Sequence, residues 1–190
     1  MNTAVANAIA YYQSKGLSRD IAVGICAVLN VESGLNPLSE NNTGTDAGGV
    51  LNPKGAYGIA QWNGPRQAAL ANFASRENLS PSDINTQLQF VLTECANSYP
   101  EVWAAIQNPT TTYQQMITVM VDKYEIPADK TKEIATAMGS ALAWYPVVTA
   151  PTTVQPTVTP ASNATITAAA QITDAIAILQ SVLKSLNPNV

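Results

Sequence analysis

Residues 17–34 read "LSRDIAVGICAVLNVESG" and carry helix signals at both ends. Ser18 is a typical helix N-cap, and Asp20 in the first turn complements the positive end of a helix dipole. Gly34 suits the left-handed conformation in which many helices end. The stretch therefore predicts a helix with one buried apolar stripe, and its last turn contains a glutamate, Glu32.

Glu32 is predicted to lie on the buried side of this helix. At about 100° per residue, it projects within roughly 20° of Ile21. Burial and the negative end of the helix dipole both penalise an ionised carboxylate, so the pKa of Glu32 should be raised. A carboxyl group still protonated near neutral pH can protonate a glycosidic oxygen. Glu32 is therefore the candidate acid catalyst; the alternative is a glutamate at a frayed helix end, turned to solvent.

The remaining patterns predict a mainly α body with one irregular insert. Further helices are expected at residues 3–15, 65–78, 81–98, 100–108, 111–127 and 128–146. Residues 35–58 are rich in Asn, Gly, Pro and Thr, which predicts a long loop with short strands near "GVL" (49–51) and "YGIAQW" (57–62). A loop this long inside a compact domain is usually functional.

Composition excludes several classes of function. The chain has no histidine, which removes Ser-His-Asp and Cys-His catalysis and most zinc sites, so neither a metal nor a cofactor is expected. Nine Lys and Arg residues are dispersed in a chain of net charge −4, so nucleic-acid binding is not expected. Cys26 and Cys95 fit buried apolar positions, and a disulfide between them remains open.

Neither export nor membrane insertion is predicted. The N-terminal "MNTAVANAIAYYQSKG" lacks the basic region and the long apolar core of a secretory signal. No apolar run reaches the about 18 residues expected of a transmembrane helix.

The segment "GAYGIAQWNG" (55–64) combines glycines with Tyr57, Gln61 and Trp62. Glycine lets a backbone approach a ligand closely, and amide and aromatic side chains grip sugar hydroxyls and faces. The alternative is a tight hairpin whose aromatic residues pack on the core.

Together these stretches carry a resemblance to a known family. "GLSRDIAVGICAVLNVESGLNP", "GAYGIAQWNGPRQAAL", "TQLQFVLTEC" and "YEIP", in this order, resemble the phage tail lysozyme family over roughly residues 10–140. The resemblance implies a two-lobed, lysozyme-like fold that binds peptidoglycan glycan strands in a cleft. It implies that Glu32 is the catalytic acid, that Tyr57, Gln61 and Trp62 line the cleft, and that Tyr124 or Glu125 lies near the opposite wall.

The sequence leaves the identity of the second catalytic carboxylate open. A retaining glycosidase places it about 5 Å from the acid, and an inverting one about 6.5–9.5 Å away. Asp46 in the long loop is the first candidate, followed by Glu94 and Glu125, although Glu94 fits a structural role better. Without such a partner, Glu32 would act as acid and then base, as in lytic transglycosylases.

Three parts of the chain are predicted: a catalytic domain at 1–146, a Pro/Thr-rich linker at 147–165 and an amphipathic helix at 166–190. The last helix has a seam of apolar residues, which indicates docking: Ile172, Ile176, Leu179, Leu183 and Leu186.

The leading hypothesis is a virion-associated muramidase. It would be made in the host cytoplasm, docked on virion structural proteins through the C-terminal helix, and would cleave the β-1,4 glycan of the cell wall as the phage enters. The alternatives are a non-catalytic structural or glycan-binding virion protein, and an endolysin that acts at lysis.

Overall fold

The computed structural model describes residues 2–41, 51–52 and 55–145, and within them the chain is mainly helical with one small sheet. The elements, in chain order, are α1 (Thr3–Ser14), α2 (Arg19–Ser33), β1 (Glu40–Asn41), β2 (Ala56–Tyr57), α3 (Gly64–Arg76), α4 (Ile84–Ser98), α5 (Pro100–Gln107), α6 (Tyr113–Met120), a π-helical turn (Val121–Glu125) and α7 (Lys130–Trp144). The predicted fold class, mainly α with a small β insert, is confirmed. The predicted linker and C-terminal helix lie outside the described residues.

Helix α2 is the central element. Its residues from Ile21 to Leu29 are all buried, and it packs against α1, α6 and α7. The Ser18 hydroxyl accepts a hydrogen bond from the Ile21 backbone N–H, and Gly34 ends the helix at a φ of 65°, so both predicted end signals are confirmed. Gly24 allows α6 to approach closely, since a Cβ there would lie 2.6 Å from the Cβ of Met116.

Two buried glutamines hold the insert between α2 and α3 in place. The Gln67 side-chain oxygen accepts hydrogen bonds from two backbone N–H groups, those of Leu51 and Asn52. The Gln87 oxygen accepts from the Ile59 N–H, and the Gln87 amide donates to the carbonyl of Pro37. Buried backbone groups of an irregular segment need such partners, so two side chains replace the ladder of a larger sheet.

The sheet in the insert is smaller than its pattern suggested. Strand β2 pairs antiparallel with β1, which places Glu40 opposite Tyr57. Tyr57 and Trp62 also pair with each other and form a tight hairpin, so the expected strand near 57–62 is limited to Tyr57 at the end of β2 and this one bridge. Leu51, the described part of the other expected strand, lies in a bend.

The predicted helix at 111–127 changes its winding before its end. After α6 the chain forms the π-helical turn, in which the Ile126 N–H bonds the Val121 carbonyl at 3.0 Å, five residues back. Ile126 has a φ of 51°, and Pro127 prevents the helix from continuing. The wider turn directs Tyr124 into the core.

Cys26 and Cys95 are both free thiols in buried positions, so the disulfide left open by the sequence is not formed. Burial raises the pKa of both thiols above their ordinary range. Among the described helices, none combines the length and the apolar character that crossing a bilayer requires.

Candidate active site

Glu32 lies in the last turn of α2 and is only partly exposed. Its neighbour Ser33 donates a hydrogen bond of 2.9 Å to the Ile59 carbonyl, which ties this helix end to the insert. Burial, the charge of Glu133 and a hydrogen bond with the Glu133 side chain raise the pKa of Glu32 to about 7, and Arg66 opposes the shift. The predicted direction of the pKa shift therefore agrees with the structure, although the sequence analysis did not identify Glu133 as one of its causes.

Glu133 is the residue that the sequence analysis missed. It lies in the first turn of α7, burial raises its pKa, and its charge contributes to the raised pKa of Glu32. Its Oε1 is buried and has no hydrogen-bond partner among the described residues. A signal was present, because Glu133 is four and eight residues before Ala137 and Ala141, which α7 buries.

Glu125 brings a third carboxyl group toward this position from the π-helical turn. Its Oε1 is also buried and has no partner among the described residues. Burial is the main cause that raises the pKa of Glu125 well above its usual range, the charge of Glu32 adds to it, and Arg66 opposes it. Within the described part of the chain, no three acidic or sulfur ligands are spaced to hold a metal ion. Protonation of one of these carboxyl groups relieves the repulsion among them.

A buried polar network, formed by Trp62, Arg66, Glu94 and Tyr124, adjoins the three glutamates. Arg66 binds Glu94 through two parallel bonds, Nε to Oε1 at 2.8 Å and Nη2 to Oε2 at 3.0 Å. The Tyr124 hydroxyl and the Trp62 indole N–H both donate to Glu94 Oε2, at 2.6 and 2.9 Å. The Arg66 guanidinium also lies 4.4 Å from the centre of the Tyr124 ring. Each charged group of the network is thus paired, as burial requires.

This network determines where several predicted cleft residues lie. Trp62 is fully buried and Tyr124 is 1% exposed, so both face Glu94 inside the domain and neither presents a ring to solvent. Tyr57 is also buried, and its hydroxyl bonds the Ser82 hydroxyl at 2.8 Å. The hairpin alternative raised for this segment, with aromatic residues packed on the core, matches this arrangement.

Gln61 and Asp46 complete the set of predicted residues. Gln61 is partly exposed at a φ of 46°, and its side-chain amide donates to the Gly58 carbonyl at 2.9 Å. The left-handed backbone at Gln61 costs free energy that the hairpin contacts must offset. Asp46 lies outside the described residues.

Two cavities adjoin these groups. One, of about 400 Å³, lies between α3 and α4 and is lined by polar side chains that include Arg66, Arg76 and Glu94. The other, of about 250 Å³, lies beside the start of α7 and includes Glu133 and Val31. The polar network therefore borders the first cavity through Arg66 and Glu94, and Glu133 borders the second.

The comparison with models of protein families agrees with the resemblance seen in the sequence. No curated protein matches the chain. The family model described as phage tail lysozyme matches residues 3–148, which contain all the described helices. The match covers well over half of the 190 residues, and the chain belongs to the phage tail lysozyme family.

Proposed function

We propose that this chain is a muramidase that cleaves the β-1,4 glycan backbone of peptidoglycan, with Glu32 as the general acid. Membership of the phage tail lysozyme family supports a lysozyme-like hydrolase of peptidoglycan. The observation that carries the finer assignment is the partly buried Glu32 carboxyl, whose pKa is raised to about 7. Such a group still carries its proton near neutral pH and can give it to the leaving glycosidic oxygen.

How the reaction proceeds after proton transfer depends on whether a second carboxylate faces Glu32. Glu94 is an unsuitable partner because both of its oxygens bind Arg66 in an ion pair. Asp46 and Glu125 remain the proposed candidates for a second carboxylate. If neither serves, Glu32 returns as the base and the product is an anhydro sugar, as in a lytic transglycosylase. Mass spectrometry of the released fragments distinguishes the two reactions, since the anhydro product is lighter by one water.

Of the predicted substrate-binding residues, Gln61 is the best placed to contact the glycan directly. Gln61 is partly exposed, whereas Tyr57, Trp62 and Tyr124 are buried, as is a carboxyl oxygen of Glu125. We assign these three aromatic residues to the support of the cleft wall. Replacing Gln61 by alanine should then raise KM more than it lowers kcat.

The direct experiment is Glu32→Gln, measured by lysis of a cell suspension and by a zymogram on purified peptidoglycan. We expect loss of lysis with an unchanged circular dichroism spectrum. Glu77→Gln is the matched control, since it removes one negative charge from an exposed position at the end of α3. Full lysis by the Glu32→Gln variant would refute the assignment. Glycan binding without cleavage by the wild-type chain would favour a non-catalytic module.

The proposed setting is the phage particle, where residues 166–190 dock on virion structural proteins. The family description supports a phage tail location. Mass spectrometry of purified particles should detect the chain. Its absence from particles, together with its presence in lysing cells, would favour the endolysin alternative.

A further inference from the structure

The cavity of about 400 Å³ between α3 and α4 lies beside the polar network, and Glu32 is not among its described lining residues. Its wall reaches the network through Arg66 and Glu94, and through Tyr99, whose ring centre lies 4.9 Å from that of Tyr124. Its volume falls within the range typical of small-molecule sites, about 300–1,000 Å³. The cavity can therefore hold part of a bound molecule away from the proposed acid.

The side chains that line this cavity leave one surplus positive charge, that of Arg76. Arg66 and Glu94 also line it, but they bind each other through two parallel hydrogen bonds, so their charges cancel. Arg76 is exposed in the last turn of α3, and its guanidinium makes no hydrogen bond or ion pair within the described part of the chain. An unpaired guanidinium presents a planar fork of N–H donors that matches a carboxylate. The cavity therefore suits a ligand that carries a carboxylate.

Neutral polar side chains accompany this cation on both helices. Asn72 on α3 and Asn97 on α4 line the cavity, and both are exposed. Neither side-chain amide has a hydrogen-bond partner among the residues that the structure describes. Each carboxamide can donate to and accept from another amide or a hydroxyl group. The lining therefore combines a carboxylate receptor with groups that bind acetamido, peptide and hydroxyl groups.

A muramyl peptide fits this combination better than other anions do. Peptidoglycan joins N-acetylated sugars to short peptide stems that end in carboxylates. A nucleic acid carries many phosphates and would need a cluster of cations, whereas the described lining offers one unpaired arginine. We propose that the cavity between α3 and α4 is a subsite for the muramyl residues of peptidoglycan, in which Arg76 binds a carboxylate and Asn72 and Asn97 bind neighbouring amide groups. This inference rests on the proposed function, which makes peptidoglycan the substrate.

Two parts of peptidoglycan carry such a carboxylate: the peptide stem, and the lactyl group where the stem has been removed. Contact with either part lies away from the bond that is cut. It therefore contributes to binding the substrate and the transition state alike. Loss of the Arg76 guanidinium should raise KM and leave kcat nearly unchanged, whereas Glu32→Gln should act on kcat.

Binding of soluble fragments tests the proposal, using the full chain with Glu32→Gln as the parent. Three probes differ in their carboxylates: glycan strands with peptide stems, strands whose stems an amidase has removed, and uncharged β-1,4-linked N-acetylglucosamine oligomers. Arg76→Gln should weaken binding of a carboxylate probe about three- to fivefold and leave binding of the uncharged oligomer unchanged. Arg76→Lys keeps the charge without the fork and should restore part of the affinity. Asn72→Asp places a negative charge beside the ligand and should also weaken binding of the carboxylate probe.

Lys15→Gln is the matched control, because Lys15 is an exposed cation outside this cavity. Added salt should shrink the difference between the parent and Arg76→Gln, which a loss of structure would not do. A loss confined to strands with stems identifies the peptide stem as the source of the carboxylate, and a loss on stripped strands as well identifies the lactyl group. Equal losses on all three probes, or no loss on any, overturn the proposal.

These outcomes separate the subsite from the proposed function. If the wild-type chain lyses cells while Arg76→Gln binds every probe as its parent does, only the subsite is wrong. If Glu32→Gln keeps full lysis while Arg76→Gln weakens binding of the carboxylate probes, the acid assignment is wrong and the subsite stands. If the wild-type chain neither cleaves peptidoglycan nor binds any probe, both are wrong.

Discussion

Replacing Glu32 by glutamine should stabilise the folded domain above neutral pH, while removing lysis. Folding raises the pKa of Glu32 from 4.5 to about 7, so ionising this group costs free energy in the folded state that it does not cost in the unfolded one. Each pKa unit corresponds to about 1.4 kcal/mol, which gives an upper limit of about 3 kcal/mol. Because the side chain is partly exposed to solvent, we expect about 1–2 kcal/mol.

The pH dependence follows from the direction of the shift. Well below the unfolded pKa, both states hold the proton and Glu32 contributes no pH dependence. As the pH rises from about 4.5 to about 7, the unfolded state loses its proton first, so the wild-type free energy of unfolding falls. Glutamine carries no charge at any pH in this interval. The advantage of the Glu32→Gln variant should therefore grow across this interval and then level off.

Urea unfolding of both chains at about pH 5 and about pH 8 tests this reasoning. Comparing the two chains removes the pH dependence that burial of Glu125 gives to both, and the part of the Glu125 shift that comes from the charge of Glu32 belongs to the measured difference. Glu77→Gln controls for the loss of one surface charge. A difference that stays constant between the two pH values, or a variant that is less stable at the higher pH, would show that Glu32 ionises like a solvated acid.

Three further variants test the packing that holds the site, each by urea unfolding. Arg66→Met leaves the Glu94 carboxylate buried and unpaired, and should cost about 3 kcal/mol; a loss below about 1 kcal/mol would contradict the pairing. Trp62→Phe removes the indole donor to the same carboxylate and should cost about 1–2 kcal/mol; an unchanged midpoint would argue against that bond. Gly24→Ala places a Cβ 2.6 Å from a side-chain carbon of α6, and should cost about 1–3 kcal/mol. Its control, Gly139→Ala, adds a methyl group where no atom lies within 4 Å, and should not destabilise the domain.

The helices were predictable because their ends depend on local chemistry. Ser18 and Gly34 bound α2 through contacts within a few residues, and such contacts can be read from one stretch of sequence. The start of α4 was harder to predict, because both Pro81 and Asp83 suit the beginning of a helix. The structure begins α4 at Ile84 because the Asp83 carboxylate accepts from the Thr86 N–H.

Only part of the candidate site could be predicted from the sequence. The burial of Glu32 and its position in the last turn are local properties, and they gave the right direction for its pKa. The influence of Glu133 on this pKa depends on the packing of α7 against α2, and no periodicity within either helix sets which of their residues meet. The same is true of the bond between Arg66 and Glu94, which joins α3 to α4. Because the ion pair could not be predicted, Trp62 and Tyr124 were expected to line a cleft. The structure instead buries both around that pair.

The π-helical turn has a consequence for comparing this chain with its relatives. Deleting one residue from 121–125 would restore regular winding, but it would rotate the segments on either side by about 100° relative to each other. The phenol that reaches α4 and the carboxyl next to it in sequence would then no longer both point inward. In an alignment, a one-residue gap here would thus mark relatives that must arrange their acidic groups differently, even where the glutamate in the last turn of α2 is retained.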